Sequence, residues 1–209
     1  MSGAEEFVGP QARLPGLRKA VQDCRGCGLY RDATQAVFGA GPETARVVMI
    51  GEQPGDQEDR KGEPFVGPAG RMLDRALEEA GIRRSEVYLT NTTKHFKFER
   101  VSGKRRIHQK PSRTEVNACR PWLDAELRVV KPHLVICLGA TAAQAMMGTS
   151  FRITKERGTV LGLPDHEAQV VATIHPSAIL RADDREAAYQ GFVEDLQVAA
   201  QALRSLQAG

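Results

Sequence analysis

Arg46-Val47-Val48-Met49-Ile50-Gly51 is an apolar run that ends on glycine, and the residues after it, Glu52-Gln53-Pro54-Gly55-Asp56, are polar and turn-forming. Further on, Met72, Leu73, Ala76 and Leu77 recur at helical spacing and share one face. This stretch predicts a strand, a loop and a helix, and the unit recurs down the chain. Val87-Tyr88-Leu89-Thr90 is a second strand, and the polar stretch from Lys94 to Lys110 reads as a long loop. Ser112 and Glu115 form a capping box for a helix from about Arg113 to Val130, closed by Lys131-Pro132. Leu134 to Leu138 is a third strand, followed after Gly139 by a helix from Ala140 to Met147. Val170 to Ile174 is a fourth, followed by a last helix from Glu186 to Leu206. Strands that are apolar throughout and alternate with helices imply an α/β fold, a parallel four-stranded sheet with helices on both faces. Sheets of this kind bind ligands beyond the carboxyl ends of their strands, which collects Glu52, Asn91, Gly139 and His175 at one edge.

With 209 residues, 41% of them hydrophobic, the chain is expected to form a single domain spanning 1–209. The longest mostly apolar stretch, Leu134 to Met147, is interrupted by Thr141 and Gln144 and is too short to cross a bilayer. Met1-Ser2-Gly3-Ala4-Glu5-Glu6 lacks the positive flank and apolar segment of a secretory signal. A cytoplasmic protein with reduced thiols and no membrane partner is the expectation. The net charge of +3 and pI near 8.7 are too mild to identify a nucleic-acid binder. The distribution says more: between Lys94 and Arg113 stand eight Lys or Arg residues against the single Glu99. Such a run is as readily a solvated loop as a phosphate contact.

Cys24-Arg25-Gly26-Cys27 is a close ligand pair, whereas Cys119 falls on the capped helix and Cys137 in the third strand. In a reducing compartment four cysteines read as metal ligands rather than disulfides. Two close and two distant thiols suit a tetrathiolate cluster that ties the N-terminal segment to the sheet. Tetrahedral zinc competes with that reading, although the step from Cys119 to Cys137 is wider than in usual zinc ribbons. Cys137 also reads as an ordinary buried cysteine.

Gly51 to Asp59, Pro64-Phe65-Val66-Gly67-Pro68-Ala69-Gly70, Tyr88-Leu89-Thr90-Asn91, Glu115-Val116-Asn117-Ala118-Cys119 and His175-Pro176-Ser177 come in a distinctive order. In that order, and from about Cys24 to the last helix, the chain resembles the iron-sulfur uracil-DNA glycosylases. Gln53 and the inserted loop ending in Lys104-Arg105-Arg106-Ile107-His108 are similar to the cross-linking subfamily often called UdgX, whose members bond covalently to DNA at uracil. The resemblance implies a uracil-DNA glycosylase-like fold and a [4Fe-4S] cluster on Cys24, Cys27, Cys119 and Cys137. It also implies uracil-containing DNA as partner.

A uracil stacked in duplex DNA must be extruded before its glycosidic bond is reached, so single-stranded DNA is the easier substrate. The Asn91 amide can donate to a uracil carbonyl and accept from the ring N–H, and Phe65 can stack on the base, the roles that the resemblance implies for them. Gly51 and Ser177 complete the expected base pocket. Taken alone, Phe65 reads as a core aromatic and Asn91 as a strand-end turn former. His175 is expected to donate to a uracil carbonyl as the base leaves, with Pro176 aiming the ring. An isolated His-Pro is otherwise a simple turn. His108 is the distinctive residue: where a hydrolytic enzyme admits water, an imidazole can attack C1′ and form a lasting bond. Without the resemblance it is a surface-loop histidine. Glu52 is expected to hydrogen-bond one ring nitrogen of His108 and stabilise the imidazolium. Gln53 is assigned to positioning the loop or sugar, and Asp56 to holding the loop. Lys104, Arg105 and Arg106 are assigned to the DNA backbone, Arg106 alternatively to the loop. The expected protein is a monomeric, single-turnover, self-cross-linking enzyme. An ordinary hydrolytic glycosylase and a non-catalytic iron-sulfur DNA-binding module are the alternatives.

Overall fold

The computed structural model describes residues 3–10, 13–101 and 106–208. In chain order its elements are α1 (Glu5–Val8), α2 (Leu14–Ala20), β1 (Val47–Gly51), α3 (Asp56–Lys61), α4 (Pro68–Ala80), β2 (Val87–Asn91), β3 (Phe98–Arg100), β4 (Arg106–His108) and α5 (Arg113–Val130). Then follow β5 (Leu134–Leu138), α6 (Ala140–Met147), α7 (Ile153–Glu156), β6 (Val160–Gly162), β7 (Gln169–Thr173), α8 (Pro176–Ile179) and α9 (Arg185–Ala208).

Successive residues of a strand face opposite sides, and here both sides are buried. Val48 and Ile50 of β1, with Val135 and Cys137 of β5, pack toward α1, α2, α5 and α6. Val47 and Met49, with Leu134, Ile136 and Leu138, pack toward α4 and α9. That double burial explains the unbroken apolar runs. Leu73, Ala76 and Leu77 are the buried face of α4, as their spacing predicts. Helix α5 begins at the capping box: the Ser112 hydroxyl accepts from the Glu115 N–H, and the Glu115 carboxylate accepts from the Ser112 N–H. It ends at Lys131 in left-handed conformation, φ 50°.

The strand order is β2-β1-β5-β7-β6, parallel from β2 to β7. The α/β expectation holds, but the sheet has five strands rather than four, because β6 pairs antiparallel with the outer side of β7. Its three residues, ending in Gly162, are too short to show a period. The polar stretch from Lys94 to Lys110 is likewise more than a loop, since β3 and β4 pair antiparallel with Phe98 opposite His108. Among the described residues no helix is long and apolar enough to cross a membrane.

The chain moves from β1 to β2 on one side and later to β5 on the other, so the order reverses between β1 and β5. Crevices at such switch points, beyond the carboxyl ends of the strands, are where open α/β sheets take ligands.

Candidate active site

A cavity of about 470 Å³ opens at that switch point, lined among others by Glu52, Phe65, Asn91, His108, Gly139 and His175. It is of the size that takes a small ligand. Glu52 leaves β1 with its carbonyl accepting from the Thr92 hydroxyl at 2.5 Å and the Thr93 N–H at 3.2 Å. Its Oε2 accepts from the Thr141 hydroxyl at the start of α6, which closes the crevice across β1 and β5.

On the wall beneath β2 sits Asn91, 3% exposed, and among the described residues no group hydrogen-bonds its amide. Its backbone is fixed instead. The Lys94 ammonium donates to the Asn91 carbonyl at 2.9 Å, to Thr90 Oγ1 at 2.7 Å and to Glu126 Oε2 at 2.6 Å, inside a fully buried ion pair. Phe65 holds a left-handed backbone, φ 57°, which is strained for a bulky residue. Gly70 permits it, because a Cβ there would strike the Phe65 carbonyl. A Cβ on Gly51 would run into Asn91 Oδ1 and come within 2.8 Å of Phe65 Cζ, so Gly51 shapes the floor shared by both.

His175 follows β7, and its ring stacks on Phe65 at a centroid distance of 6.2 Å. The Ser177 N–H donates to Nδ1 at 3.1 Å, and the Ser177 hydroxyl lies 2.8 Å from the same nitrogen. Nδ1 is therefore the acceptor, and the neutral ring carries its proton on Nε2. Burial, reinforced by His108 and Arg181, pulls the His175 pKa down to about 4. A neutral Nε2–H donor thus stands in the cavity at physiological pH.

His108, at the end of β4, is half-exposed at the cavity's lip. Its Nε2 lies 3.6 Å from Glu52 Oε1. That is an ion-pair distance but too long for a hydrogen bond, so Glu52 does not fix the tautomer by direct bonding as expected. Its Nε2 is the ring nitrogen that lies toward Glu52, and both residues line the cavity. Burial lowers the His108 pKa, Glu52 opposes that shift, and Arg181 adds to it.

The hairpin that carries His108 is tied down at both ends. Gln53, 7% exposed, donates from Nε2 to the carbonyls of Lys97 at 3.1 Å and Gln109 at 3.0 Å, while its Oε1 accepts from the Lys97 N–H at 3.0 Å. Gln53 therefore positions the hairpin rather than the sugar. Arg106 is 6% exposed; its Nε donates to Asp56 at 2.5 Å and its NH1 to Asp59 at 2.6 Å. The guanidinium also lies against the rings of Phe98 and Phe96, with centroids at 4.9 and 5.5 Å. Its hydrogen bonds run to groups inside the protein, the geometry of the loop anchor rather than of the DNA-backbone contact, the two roles expected of Arg106. Asp56 lines the cavity but serves as the loop's anchor: burial raises its pKa, and hydrogen bonds from Arg106 and Arg60 outweigh that and hold it below the ordinary value. Lys104 and Arg105 lie outside the described residues.

Residues 38–197 match the uracil DNA glycosylase superfamily. The type-4 uracil-DNA glycosylases of Pyrobaculum aerophilum and Archaeoglobus fulgidus are both 34% identical, each alignment covering 80% of this chain and 85% and 83% of theirs. That of Thermotoga maritima is 36% identical over 79% of this chain and 82% of its own. The chain belongs to the uracil DNA glycosylase superfamily.

In this superfamily member Cys24, Cys119 and Cys137 share one buried apolar layer, and Cys27 is partly exposed. Cys24 and Cys119 are buried, and both accept hydrogen bonds on sulfur, Cys24 from Trp122 Nε1 at 3.2 Å and Cys119 from the Lys94 N–H at 3.3 Å. Burial pushes the Cys119 thiol up to about 12, Lys94 opposes this, and the neighbouring Cys27 and Cys24 add to it. Cys27 feels Cys24 in turn. Cys137 faces the same layer, but the charge that reaches it is Arg120, and no other cysteine acts on it. Cys137 lies on the central strand β5, in the same apolar layer as Cys24 and Cys119. Thiols that accept N–H groups on sulfur have the donor chemistry of a cluster held by thiolates. Among the described residues no three His, Cys, Asp or Glu side chains converge on a single metal-ion position.

Three functional residues of this superfamily member escape the sequence reading. Thr141 holds Glu52, and its place three residues past the end of β5 is the signal that marks it. Arg181 faces the cavity and reaches both histidines; its spacing from His175 carries no such signal. His95, 5% exposed, directly follows the residue whose amide meets Cys119. Among the described residues its ring has no hydrogen-bond partner; burial, then Arg25, pulls its pKa down to about 4. A neutral, unpartnered imidazole has the donor character of a metal ligand.

Proposed function

We propose that the protein excises uracil from DNA and remains joined to the resulting deoxyribose through His108. The activity named for its relatives, uracil-DNA glycosylase, supports the first half. The second half is supported by one observation: an imidazole at the cavity's lip with its Nε2 3.6 Å from a carboxylate.

The base enters with its face on Phe65 and its edge toward the free Asn91 amide. As the bond from C1′ to uracil N1 breaks, the bonding pair leaves with the base, and the Nε2–H of His175 donates to the uracil carbonyl on which the negative charge grows. The positive sugar carbon accepts the Nε2 lone pair of His108, and a C–N bond replaces the one lost. The alkylated ring is an imidazolium stabilised by Glu52. Loss of its Nδ1 proton to water leaves a neutral alkylimidazole, a poor leaving group, so the adduct persists. Retaining glycosidases turn over because a second carboxyl activates water; here Asp56 is engaged by Arg106 and Arg60 instead.

Cys24, Cys27 and Cys119, with His95 in place of Cys137, would hold a [4Fe-4S] cluster whose contribution is structural, tying the N-terminal segment to α5 and to the strand end that bears Asn91. Single-stranded DNA is the preferred substrate, since no base pair must open. We read the protein as a cytoplasmic monomer.

Incubation with a uracil-containing oligonucleotide followed by denaturing electrophoresis tests the reading. A shifted protein–DNA band is expected, converted to free abasic strand by His108→Ser. Free abasic strand from the wild type would favour ordinary hydrolysis, the second reading that the relatives' activity supports. Denaturant-stable adduct in His108→Ser would reject the nucleophile.

A further inference from the structure

A second cavity, of about 440 Å³, lies against the first, and the two share Lys110 and Thr141. It runs between the first turns of α5 and helix α6. Pro111 and Val116 supply apolar wall, and Asn117 offers an amide. Lys110 and Arg113 stand in its lining, both exposed, and neither forms an ion pair or hydrogen bond among the described residues. No carboxylate lines the cavity. The nearest acid on α5, Glu115, is occupied by Lys97 at 2.9 Å and by the Ser112 N–H at 2.6 Å.

Two uncommitted cations over a cavity without carboxylates favour a polyanion. The shared wall makes the cavity a neighbour of the one that takes the base, within reach of a strand whose uracil fills the first. We propose that this cavity is a subsite for the nucleotide next to the extruded deoxyuridine, with Lys110 and Arg113 holding its phosphodiester and Asn117 meeting its base or sugar. The subsite rests on the uracil-DNA reading above. It adds a contact that Arg106 does not make, because the donors of Arg106 are spent on Asp56 and Asp59.

The test uses single-stranded uracil oligonucleotides that each carry one neutral methylphosphonate at a chosen linkage around the uracil. Wild type is compared with Lys110→Gln/Arg113→Gln, changes that remove charge from exposed side chains and leave packing alone. Under single-turnover conditions with subsaturating protein, one linkage beside the uracil is expected to slow the wild type when neutralised and to have no further effect in the variant. The slope of log rate against log salt should fall by about 0.7 for each cation removed. Equal slopes in wild type and variant, or equal sensitivity of both at every linkage, would overturn the subsite. Uracil release from the unmodified strand by the wild type is read in the same experiment. If that is absent, the functional reading fails and takes the subsite with it; if it is present, only the subsite is at stake.

Discussion

The carboxamide of Gln53 grips the backbone of Gln109, its Nε2 donating to that carbonyl at 3.0 Å, one residue beyond the histidine that faces Glu52. The β1 loop thereby sets where His108 stands. Gln53→Ala leaves the Lys97 and Gln109 carbonyls without this donor and loosens the hairpin. Adduct formation should slow by about 10- to 100-fold, the scale of a reacting group misplaced by an ångström. Uracil release should fall less, because the base pocket does not depend on the grip. A time course reading free uracil and adduct in parallel checks the split.

Arg106 separates anchoring from DNA contact. Arg106→Gln leaves Asp59 buried without its cation and should cost about 3 kcal/mol, the low end for a broken buried pair because Asp56 is more than a third exposed. Chemical denaturation should show that loss. The salt dependence of DNA binding should be unchanged, whereas a phosphate-contacting arginine would lower the slope.

Gly51→Ala places a methyl group against both Asn91 and Phe65. The expected result is loss of uracil recognition, with kcat/KM lower by about 100-fold, the scale of a misplaced reacting geometry. Circular dichroism and thermal melting should show the sheet intact, since neighbouring β1 residues are unchanged.

Acid should act on chemistry and on stability with the same sign. His108 must be neutral to attack, and its pKa lies below the ordinary 6.5, so the adduct rate should be flat near neutrality and fall only below pH 6.5. His175 is neutral in the folded protein down to about pH 4, whereas the unfolded chain takes up its proton near 6.5. Unfolding therefore binds a proton between those values, and this contribution lowers stability progressively as pH falls from about 6.5 to about 4. His175→Gln should flatten that part of the stability profile. An unchanged profile would remove His175 as its source.

The cysteines give a colour test. Cys119→Ser and His95→Ala should lose or alter the broad visible absorbance of a bound cluster, whereas Cys137→Val should keep it. Bleaching by Cys137→Val alone, with the fold intact by circular dichroism, would return Cys137 to the ligand set.

The layered frame was legible because its information is local. The Ser112–Glu115 box and the Lys131 cap set the limits of α5 from within a few residues, and the unbroken apolar runs of β1, β2, β5 and β7 report burial on two faces. The hairpin was not legible. Phe98-Glu99-Arg100 and Arg106-Ile107-His108 are short and polar, and what steadies them is Gln53, Asp56 and Asp59 from far upstream.

The sequence by itself determined an α/β sheet and the gathering of Glu52, Asn91, Gly139 and His175 at one edge, because period and strand polarity are written residue by residue. The tertiary structure alone decided which side chain approaches which. It spent Arg106 on two aspartates and turned Nε2 of His108 toward Glu52, since those outcomes depend on distances between segments that no local pattern encodes.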